Sequence, residues 1–250
     1  MMNWSLVLVA MSLAATGLAL AADPALSAEP NLAGTYWATE YHPTIQVLGG
    51  GPVPLNTAGQ AEYASNRAGL KDGSLGDPVR TYCLPDAPPR LLSTPYPFQL
   101  FQVTPGQVTF VHELNDQVRV VPLNKPLPSD EVAGNLPTYE GYASARYEGD
   151  ALVIESKGFN DQTFLDSSGL PHSDKLRTTE RIRRIGNQLE DVVTVHDPVF
   201  YSKDWQARFA YQSRPGLRLQ EYTCGEPHRD ISRVKGITQV RAARAKGQFP

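Results

Sequence analysis

One polar segment of the sequence carries the residue types needed for acid–base chemistry. Residues 158–175 contain a single histidine, His172, among several acidic and serine side chains that include Asp161 and Asp166. A carboxylate that accepts a hydrogen bond from one ring nitrogen fixes the imidazole tautomer and leaves the other nitrogen free to move a proton. We therefore predict that His172 is a catalytic acid or base oriented by Asp161 or Asp166. The alternative is that the acidic and serine side chains bond the loop backbone, and that His172 only packs the loop against the domain.

Two charged neighbours follow this segment. Glu180 and Arg181 are adjacent on a predicted strand, so their side chains point to opposite faces and one of them must point inward. A buried charge requires a partner, which is either an anionic group of a substrate or a structural salt bridge. In the first case Arg181, or Arg119 further upstream, would stabilise an oxyanion that develops during catalysis.

A second histidine belongs to a predicted strand. His112 lies on the same face as Phe110, so we expect it to project into the interior, with Arg119 close by if the intervening turn forms a hairpin. The aromatic side chains either fill the core or line a cavity that would favour a flat, apolar or aromatic ligand. The candidate binding residues are therefore His112, Arg119, Glu180, Tyr142 and Trp205.

Several familiar catalytic and cofactor motifs are absent from the sequence. His112-Glu113 is not followed by the second histidine of a zinc protease motif, and no phosphate-binding glycine loop follows a strand. Residues 141–145 are only superficially similar to a nucleophile elbow. The histidines also lack the short spacing of metal ligands. We therefore predict neither a metal nor a cofactor, and the zinc protease, nucleotide-dependent and serine hydrolase classes are disfavoured.

The two cysteines predict a disulfide. Cys83 and Cys224 are the whole cysteine content of the chain, and a lone pair in an oxidising compartment most simply forms one bridge. Because it would close a very long loop, the bridge should stabilise the fold by roughly 4–5 kcal/mol in the chain-entropy model. The alternative, a reactive thiol, lacks a Cys-x-x-Cys spacing or an adjacent histidine.

The elements that must position these residues are mostly short β-strands. After residue 97, runs of β-favouring residues alternate with turn residues at hairpin spacing. This pattern predicts a mainly β fold, a single antiparallel barrel or curved sandwich of calycin-like type, rather than an α/β fold. A short helix is expected over residues 57–70, capped by Asn56 or Thr57, and a C-terminal helix in the basic tail. The nine predicted strands are 98–103, 108–112, 118–121, 142–147, 151–156, 178–185, 189–196, 205–211 and 217–224, and residues 31–41 begin the fold.

The N-terminal residues predict export. Residues 6–22 are almost wholly apolar and end in Ala19-Leu20-Ala21, a small-x-small cleavage pattern, although no basic residue precedes them. An uncleaved membrane anchor is the alternative. We therefore divide the chain into a signal peptide of residues 1–21, a β domain of residues 31–227 and a basic tail of residues 228–250. The expected location is periplasmic or secreted, without a stable membrane span after cleavage.

The net charge limits the choice of partners. The formal net charge is −3, and no strongly basic surface is predicted for the domain, so nucleic acid is a poor candidate. A small apolar or aromatic molecule is the expected partner, and the sequence does not define an oligomeric state.

An ordered set of short motifs runs through most of the chain: Tyr82-Cys83-Leu84-Pro85, Pro89-Arg90, residues 147–155, 158–161 and 169–174, Glu180-Arg181 and Asp197-Pro198. This set resembles a family of secreted bacterial β-rich proteins of uncharacterised function. The resemblance spans roughly residues 31–229 and implies export and a single β domain, but no reaction. The chain departs from the family pattern at Tyr147, where a tryptophan is usual, and at Lys203-Asp204-Trp205, where a proline often precedes the tryptophan.

Three functional hypotheses follow. The first is an exported enzyme that acts on a small apolar or aromatic molecule by cofactor-independent proton transfer, that is, elimination, isomerisation or hydrolysis, with His172 as its acid or base. The second is a periplasmic barrel that binds a hydrophobic ligand without changing it. The third is an envelope-interaction domain, for which only the basic tail of residues 228–250 gives support.

Overall fold

Nine antiparallel strands form one sheet that curls into a nearly closed barrel. The structure is a computed structural model that describes residues 29–222 and residue 224. The order of strands around the sheet is β4-β3-β2-β1-β9-β8-β7-β6-β5. The strands are β1 (Gly34–Ala38), β2 (Phe98–Phe101), β3 (Gln107–His112), β4 (Val118–Pro122), β5 (Tyr142–Glu148), β6 (Ala151–Lys157), β7 (Arg177–Ile185), β8 (Gln188–His196) and β9 (Trp205–Ser213).

The seam of the barrel lies between β4 and β5. Because the nine strands alternate in direction, the first and last strands of the sheet run the same way and can only meet in parallel. They do so at a single bridge between Leu123 and Ala145, where the Asn124 N–H donates to the Ala145 carbonyl at 2.7 Å. The connection of residues 123–141 returns along this seam and includes helix α3 (Asp130–Asn135).

The two ends of the barrel differ in their connections. One end carries tight turns such as Gly149-Asp150 and Gly186-Asn187, where Gly149 and Gly186 have φ of 62° and 60°. The other end carries the long connections of residues 39–97, 158–176 and 197–204. We call it the loop-covered end. Long connections on a rigid barrel are where binding and catalytic groups usually lie, so this end is where a site is expected.

Helices reinforce the loop-covered end. Helix α1 (Thr57–Asp72) begins at the cap residue Asn56, whose side chain accepts from the Gly59 N–H at 2.9 Å, as predicted. Its Tyr63 hydroxyl lies 2.6 Å from Ser168 Oγ, and its Asn66 amide donates to the Gly169 carbonyl at 3.1 Å. Both contacts hold α1 against the connection of residues 158–176. A second short helix, α2 (Pro78–Tyr82), was not predicted, and neither was α3.

Strand alternation builds the core inside the barrel. Inward side chains such as Phe98 and Leu100 of β2, and Leu152 and Ile154 of β6, are fully or almost fully buried. Each strand contributes at least one member to this continuous cluster, and the loop residues Leu165, Leu170 and Leu176 complete it. The prediction of a single antiparallel β-barrel is therefore confirmed.

The predicted strand over residues 217–224 is wrong. Residues 217–222 have no regular secondary structure, although the turn at Pro215-Gly216 is present. The reason is that β9 already pairs with β8 on one edge and with β1 on the other, so no edge is left for a following hairpin strand. The predicted signal peptide and the basic tail with its helix lie outside the described residues.

Cys83 and Cys224 form the predicted disulfide, a bond typical of oxidising compartments. Within residues 29–222, the helices are all too short or too polar to cross a membrane.

Candidate functional site

His172 is buried at the centre of the loop that the sequence singled out. Only 6% of the residue is exposed. Its Nε2 lies 3.0 Å from Thr163 Oγ1, and its Nδ1 lies 3.2 Å from the Ser173 carbonyl. Burial lowers the pKa of His172, while the Ser173 carbonyl and the nearby charges of Asp197 and Asp161 oppose that shift. The ring is therefore neutral at physiological pH, and both of its nitrogens face partners from the loop itself.

The two predicted carboxylate partners of His172 have other positions. Asp166 is buried and accepts hydrogen bonds from the Ile45 N–H at 3.1 Å, the Ser168 N–H at 2.9 Å and the Ser168 hydroxyl at 2.6 Å. It thus fixes the turn of its own loop and ties that loop to the segment that follows β1. Asp161 is exposed and makes no hydrogen bond to the described residues.

Asp197 contacts the loop that contains His172, and the sequence analysis did not predict this contact. Its carboxylate accepts from the Ser173 N–H at 2.6 Å and from the Ser173 hydroxyl at 2.8 Å. The Tyr201 hydroxyl donates to the Pro171 carbonyl at 2.6 Å beside it. Together these bonds fasten the loop to the β8–β9 connection. No local spacing signals the contact, because Ser173 and Asp197 are 24 residues apart.

Glu180 and Arg181 point to opposite faces, as their adjacency requires. Arg181 is on the outer surface and donates to Glu148 at 2.9 Å. Glu180 is fully buried inside the barrel. There it accepts two hydrogen bonds from Arg119, at 2.9 and 2.6 Å, and the same guanidinium donates to Ser156 Oγ at 3.2 Å. The inward charge of Glu180 is thus paired with Arg119 in a structural salt bridge.

A second acidic residue, Asp191, lies in the barrel interior with this salt bridge. Asp191 is buried on the inner face of β8, and its Oδ1 has no hydrogen-bond partner among the described residues. Burial and the charge of Glu180 raise the pKa of Asp191 well above its ordinary value, against the opposing effect of Arg119. One guanidinium therefore faces two carboxyl groups, and burial favours the protonated form of Asp191.

His112 also projects into the barrel, close to Arg119, as its position in the β3–β4 hairpin predicts. Its ring lies between Phe98 and Phe110, with ring centroids 5.3 and 6.3 Å away. Burial, with a contribution from Arg119, lowers the pKa of His112 to about 3. The imidazole is therefore uncharged and serves as part of an aromatic stack.

The predicted site residues do not gather at one place. His112, Arg119 and Glu180 share the barrel interior, whereas His172 and Asp166 lie in the loop and Arg181 lies on the outer surface. Two further candidate binding residues have structural contacts. The Tyr142 hydroxyl donates to the Leu136 carbonyl, and the buried Trp205 packs on Tyr201. The catalytic roles of His172, Asp161, Asp166 and Arg181 stay predictions.

A cavity opens where the barrel wall is interrupted. The ladder between β1 and β9 ends at Ala38 and Tyr211, and the chain returns to β9 only at the bridge between Val47 and Ala207. The Thr39 N–H still donates to the Ala210 carbonyl at 2.9 Å, and residues 40–46 then bow away from the sheet and leave a cavity of about 280 Å³. We call it the mouth cavity. Its apolar wall includes Ile45, Leu92, Phe209 and Tyr211, and its rim carries Glu40, His42 and Arg208.

The wall of the mouth cavity is held by neighbouring elements. The Tyr211 hydroxyl donates to the Leu92 carbonyl at 2.8 Å, which fixes the 3-10 helix Leu91–Ser93 across the opening. Asp166 holds the backbone of Ile45 from the other side. A residue predicted for catalysis therefore shapes this cavity without lining it.

Comparison with known proteins gives little further guidance. No protein-family model and no curated protein matches the chain. The chain is similar to a mutant of the fluorescent protein UnaG in a crystal structure, with 15% sequence identity and a TM-score of 0.34. That similarity covers 73% of this chain and 95% of the other.

Proposed function

We propose that the protein binds a small, largely apolar molecule in the mouth cavity without changing it chemically, as an exported periplasmic or secreted barrel. The observation that carries this proposal is the interruption of the barrel wall between Ala38 and Val47, which leaves about 280 Å³ beside inward-facing aromatic side chains. Ligand sites are typically concave and apolar with a few polar groups, and this cavity has that form.

The size of the cavity supports a small ligand. Known ligand pockets run from about 300 to 1,000 Å³, so the mouth cavity, at about 280 Å³, suits a molecule of one or two rings. Phe209 and Tyr211 offer ring faces and edges to such a molecule. The rim residues His42 and Glu40, which lie 3.1 Å apart, can bond a polar substituent that points to solvent.

The positions of the candidate catalytic groups favour binding over catalysis. The four predicted catalytic residues, His172, Asp161, Asp166 and Arg181, are all absent from the lining of the mouth cavity. The disulfide, together with the expected signal peptide and the family resemblance, supports function outside the cytoplasm.

The proposal is tested with N-phenyl-1-naphthylamine, a neutral fluorescent probe, titrated into the full chain. We expect saturable binding, and binding about tenfold weaker when Ala38→Phe fills the cavity, which is about 1.4 kcal/mol of binding free energy. Thr44→Trp, on the bowed segment, gives a second blocking variant with less risk to the fold. Ala143→Phe, elsewhere on the barrel, is the control. Equal probe affinity in wild type and in folded Ala38→Phe and Thr44→Trp, or no binding to the wild type, would overturn the proposal.

A further inference from the structure

A second cavity lies beside the disulfide. Its volume is about 280 Å³, and the aromatic side chains around it are Tyr41, Tyr96 and Tyr222. We call it the tyrosine cavity. Ser93 is the one lining residue that it shares with the mouth cavity, so the 3-10 helix Leu91–Ser93 separates the two. Its lining also includes two almost completely buried charged residues, Asp86 and Arg90.

Arg90 uses only part of its hydrogen-bonding capacity. The residue is 3% exposed, and its Nη2 donates to both carboxylate oxygens of Asp77 at 2.8 and 2.9 Å. Its Nε lies 3.1 Å from Asp86 Oδ1, an ion-pair distance at which the N–H does not point at the oxygen. Its Nη1 has no hydrogen-bond partner among the described residues. The guanidinium of this cavity-lining residue therefore has one donor that the described residues leave unsatisfied.

Among the described residues, Asp86 is a second residue of this cavity with an unsatisfied polar atom. It is 1% exposed, and its Oδ1 lacks a hydrogen-bond partner within the part of the chain that the structure describes. Gln117 fixes its backbone from both sides, since the Asp86 N–H donates to Gln117 Oε1 at 3.1 Å and Gln117 Nε2 donates to the Asp86 carbonyl at 2.6 Å. Burial raises the pKa of Asp86 to about 7, against the effect of Arg90 and with a contribution from Asp77.

Two buried polar atoms beside one cavity lack hydrogen-bond partners within the part of the chain that the structure describes. An unsatisfied buried polar atom typically destabilises a fold by about 1–3 kcal/mol, and native proteins keep few of them. Here a donor of Arg90 and an oxygen of Asp86 belong to side chains that line the same cavity. Both atoms have almost no accessible surface, so a group bound in the cavity would satisfy them after a rotation of the two side chains toward it.

The chemistry of the two atoms defines that group. Arg90 requires an acceptor, and planar carboxyl groups are the acceptors that a guanidinium fork binds best. Asp86 requires a partner with which it can share a proton, as two carboxyl groups do when they lie side by side. A cationic group is disfavoured because Arg80 and Arg90 both line the cavity. The ring of Tyr96 meets that of Tyr222 edge to face at 5.2 Å, an arrangement suited to a further aromatic ring.

We propose that the tyrosine cavity binds a small aromatic carboxylic acid, with its carboxyl group between Arg90 and Asp86 and its ring against the tyrosines. The ligand carboxylate accepts from Arg90 Nη1, and one proton is shared between its other oxygen and Asp86. Where Asp86 is ionised before binding, that proton comes from the solvent. This site is separate from the mouth cavity and does not depend on the function proposed for it.

Proton uptake gives the site a pH dependence. The charged and titratable groups of the cavity are Arg80, Arg90, Tyr41, Tyr96 and Tyr222, and Asp77 acts on Asp86 from behind Arg90. Burial raises the pKa of Tyr222, so this phenol stays neutral as the pH rises to 8. The ionisation of Asp86 is therefore the change that affects binding between pH 6 and 8. Affinity for a carboxylate should fall about tenfold over that interval.

The test is calorimetric titration of benzoate into the disulfide-bonded full chain at pH 6 and pH 8. We expect binding at pH 6 and about tenfold weaker binding at pH 8. Asp86→Asn supplies a donor that does not titrate, so this variant should bind benzoate equally at both pH values. Arg90→Gln should weaken binding by at least about tenfold, as expected for loss of a charge-assisted hydrogen bond. Benzamide and benzylamine are the neutral and cationic comparison probes, and Arg177→Gln, a half-exposed arginine on β7, is the matched control.

Three outcomes would overturn the proposal: no benzoate binding at pH 6, wild-type affinity that is the same at both pH values, or unchanged affinity in folded Arg90→Gln. If Arg90→Gln does not fold, the comparison of wild type with Asp86→Asn still decides. Ala38→Phe and Thr44→Trp test the mouth cavity, whereas Arg90→Gln and Asp86→Asn test the tyrosine cavity, so the two proposals fail separately.

Discussion

Arg119 and Glu180 join two strands that are far apart in the sheet. Arg119 lies on β4 and Glu180 on β7, and their two hydrogen bonds, 2.9 and 2.6 Å long, cross the barrel interior. The seam between β4 and β5 has a single backbone bridge. The ion pair, with its added contact to Ser156 on β6, therefore closes the seam from inside with side chains where backbone pairing is missing.

Breaking this ion pair should destabilise the barrel strongly. Arg119→Met leaves the buried Glu180 carboxylate without its cation, and such changes typically lower the free energy of unfolding by about 3–5 kcal/mol. In the double variant Arg119→Met with Glu180→Leu, most of that loss should be recovered because no charge is left unpaired. Urea denaturation followed by circular dichroism measures both. Arg181→Met, which removes the exposed neighbour of Glu180, should leave stability close to that of the wild type. A single Arg119→Met variant as stable as the wild type would contradict this account of the seam.

Asp191→Asn should stabilise the protein progressively as the pH rises. The pKa of Asp191 is raised in the folded state by burial and by Glu180, so between its unfolded value and its folded value the folded protein holds more protons than the unfolded chain. Stability of the wild type therefore falls with rising pH over that window, and asparagine removes the effect. The difference in unfolding free energy between Asp191→Asn and wild type should be larger at pH 8 than at pH 5. A difference that stays constant or shrinks would show that Asp191 is ionised in the fold.

The local parts of this arrangement could be predicted from the sequence. Strand alternation placed Glu180 and Arg181 on opposite faces, and hairpin register placed Arg119 near His112, because both relations involve residues that are close in the chain. The ion pair between Arg119 and Glu180 depends on closure of the barrel. It joins positions 61 residues apart, and no local pattern encodes that.

The contacts of the candidate site could not be predicted from local sequence patterns either. The sequence placed His172 in an acid-rich loop, yet its ring nitrogens contact Thr163 and the Ser173 carbonyl, since packing decides which of many polar neighbours lies within reach. Asp86 and Arg90 were missed because they lie in a proline-rich stretch without periodicity, where residue type alone does not distinguish a buried charge from a solvated one. The erroneous strand over residues 217–224 has a topological origin, because β1 occupies the edge of β9 that a hairpin strand would need.

Asp166→Ala should affect both the loop and the mouth cavity. The change leaves the buried N–H of Ile45 and the half-buried N–H of Ser168 without their acceptor, and a buried unsatisfied group typically destabilises a fold by about 1–3 kcal/mol. Amide hydrogen exchange of Ile45 should become faster, and N-phenyl-1-naphthylamine should bind more weakly because Ile45 lines the cavity. Asp161→Ala, in the same loop but exposed, is the matched control and should change neither quantity. Equal exchange rates at Ile45 in both variants would refute the anchoring role of Asp166.

Removal of the disulfide should weaken the fold and the tyrosine cavity together. Cys83 and Cys224 are 141 residues apart, a separation for which the chain-entropy model gives a stabilisation of about 5 kcal/mol. We expect the double variant Cys83→Ala with Cys224→Ala to unfold at a much lower urea concentration than the wild type. Tyr222, which lines the tyrosine cavity, is two residues from Cys224, so benzoate affinity at pH 6 should fall as well. Reducing agent should reproduce both effects in the wild type and have no effect on the double variant. A wild-type urea midpoint that is insensitive to reduction would mean that the bridge contributes little, and that the packing of Tyr222 on Tyr96 holds this segment on its own.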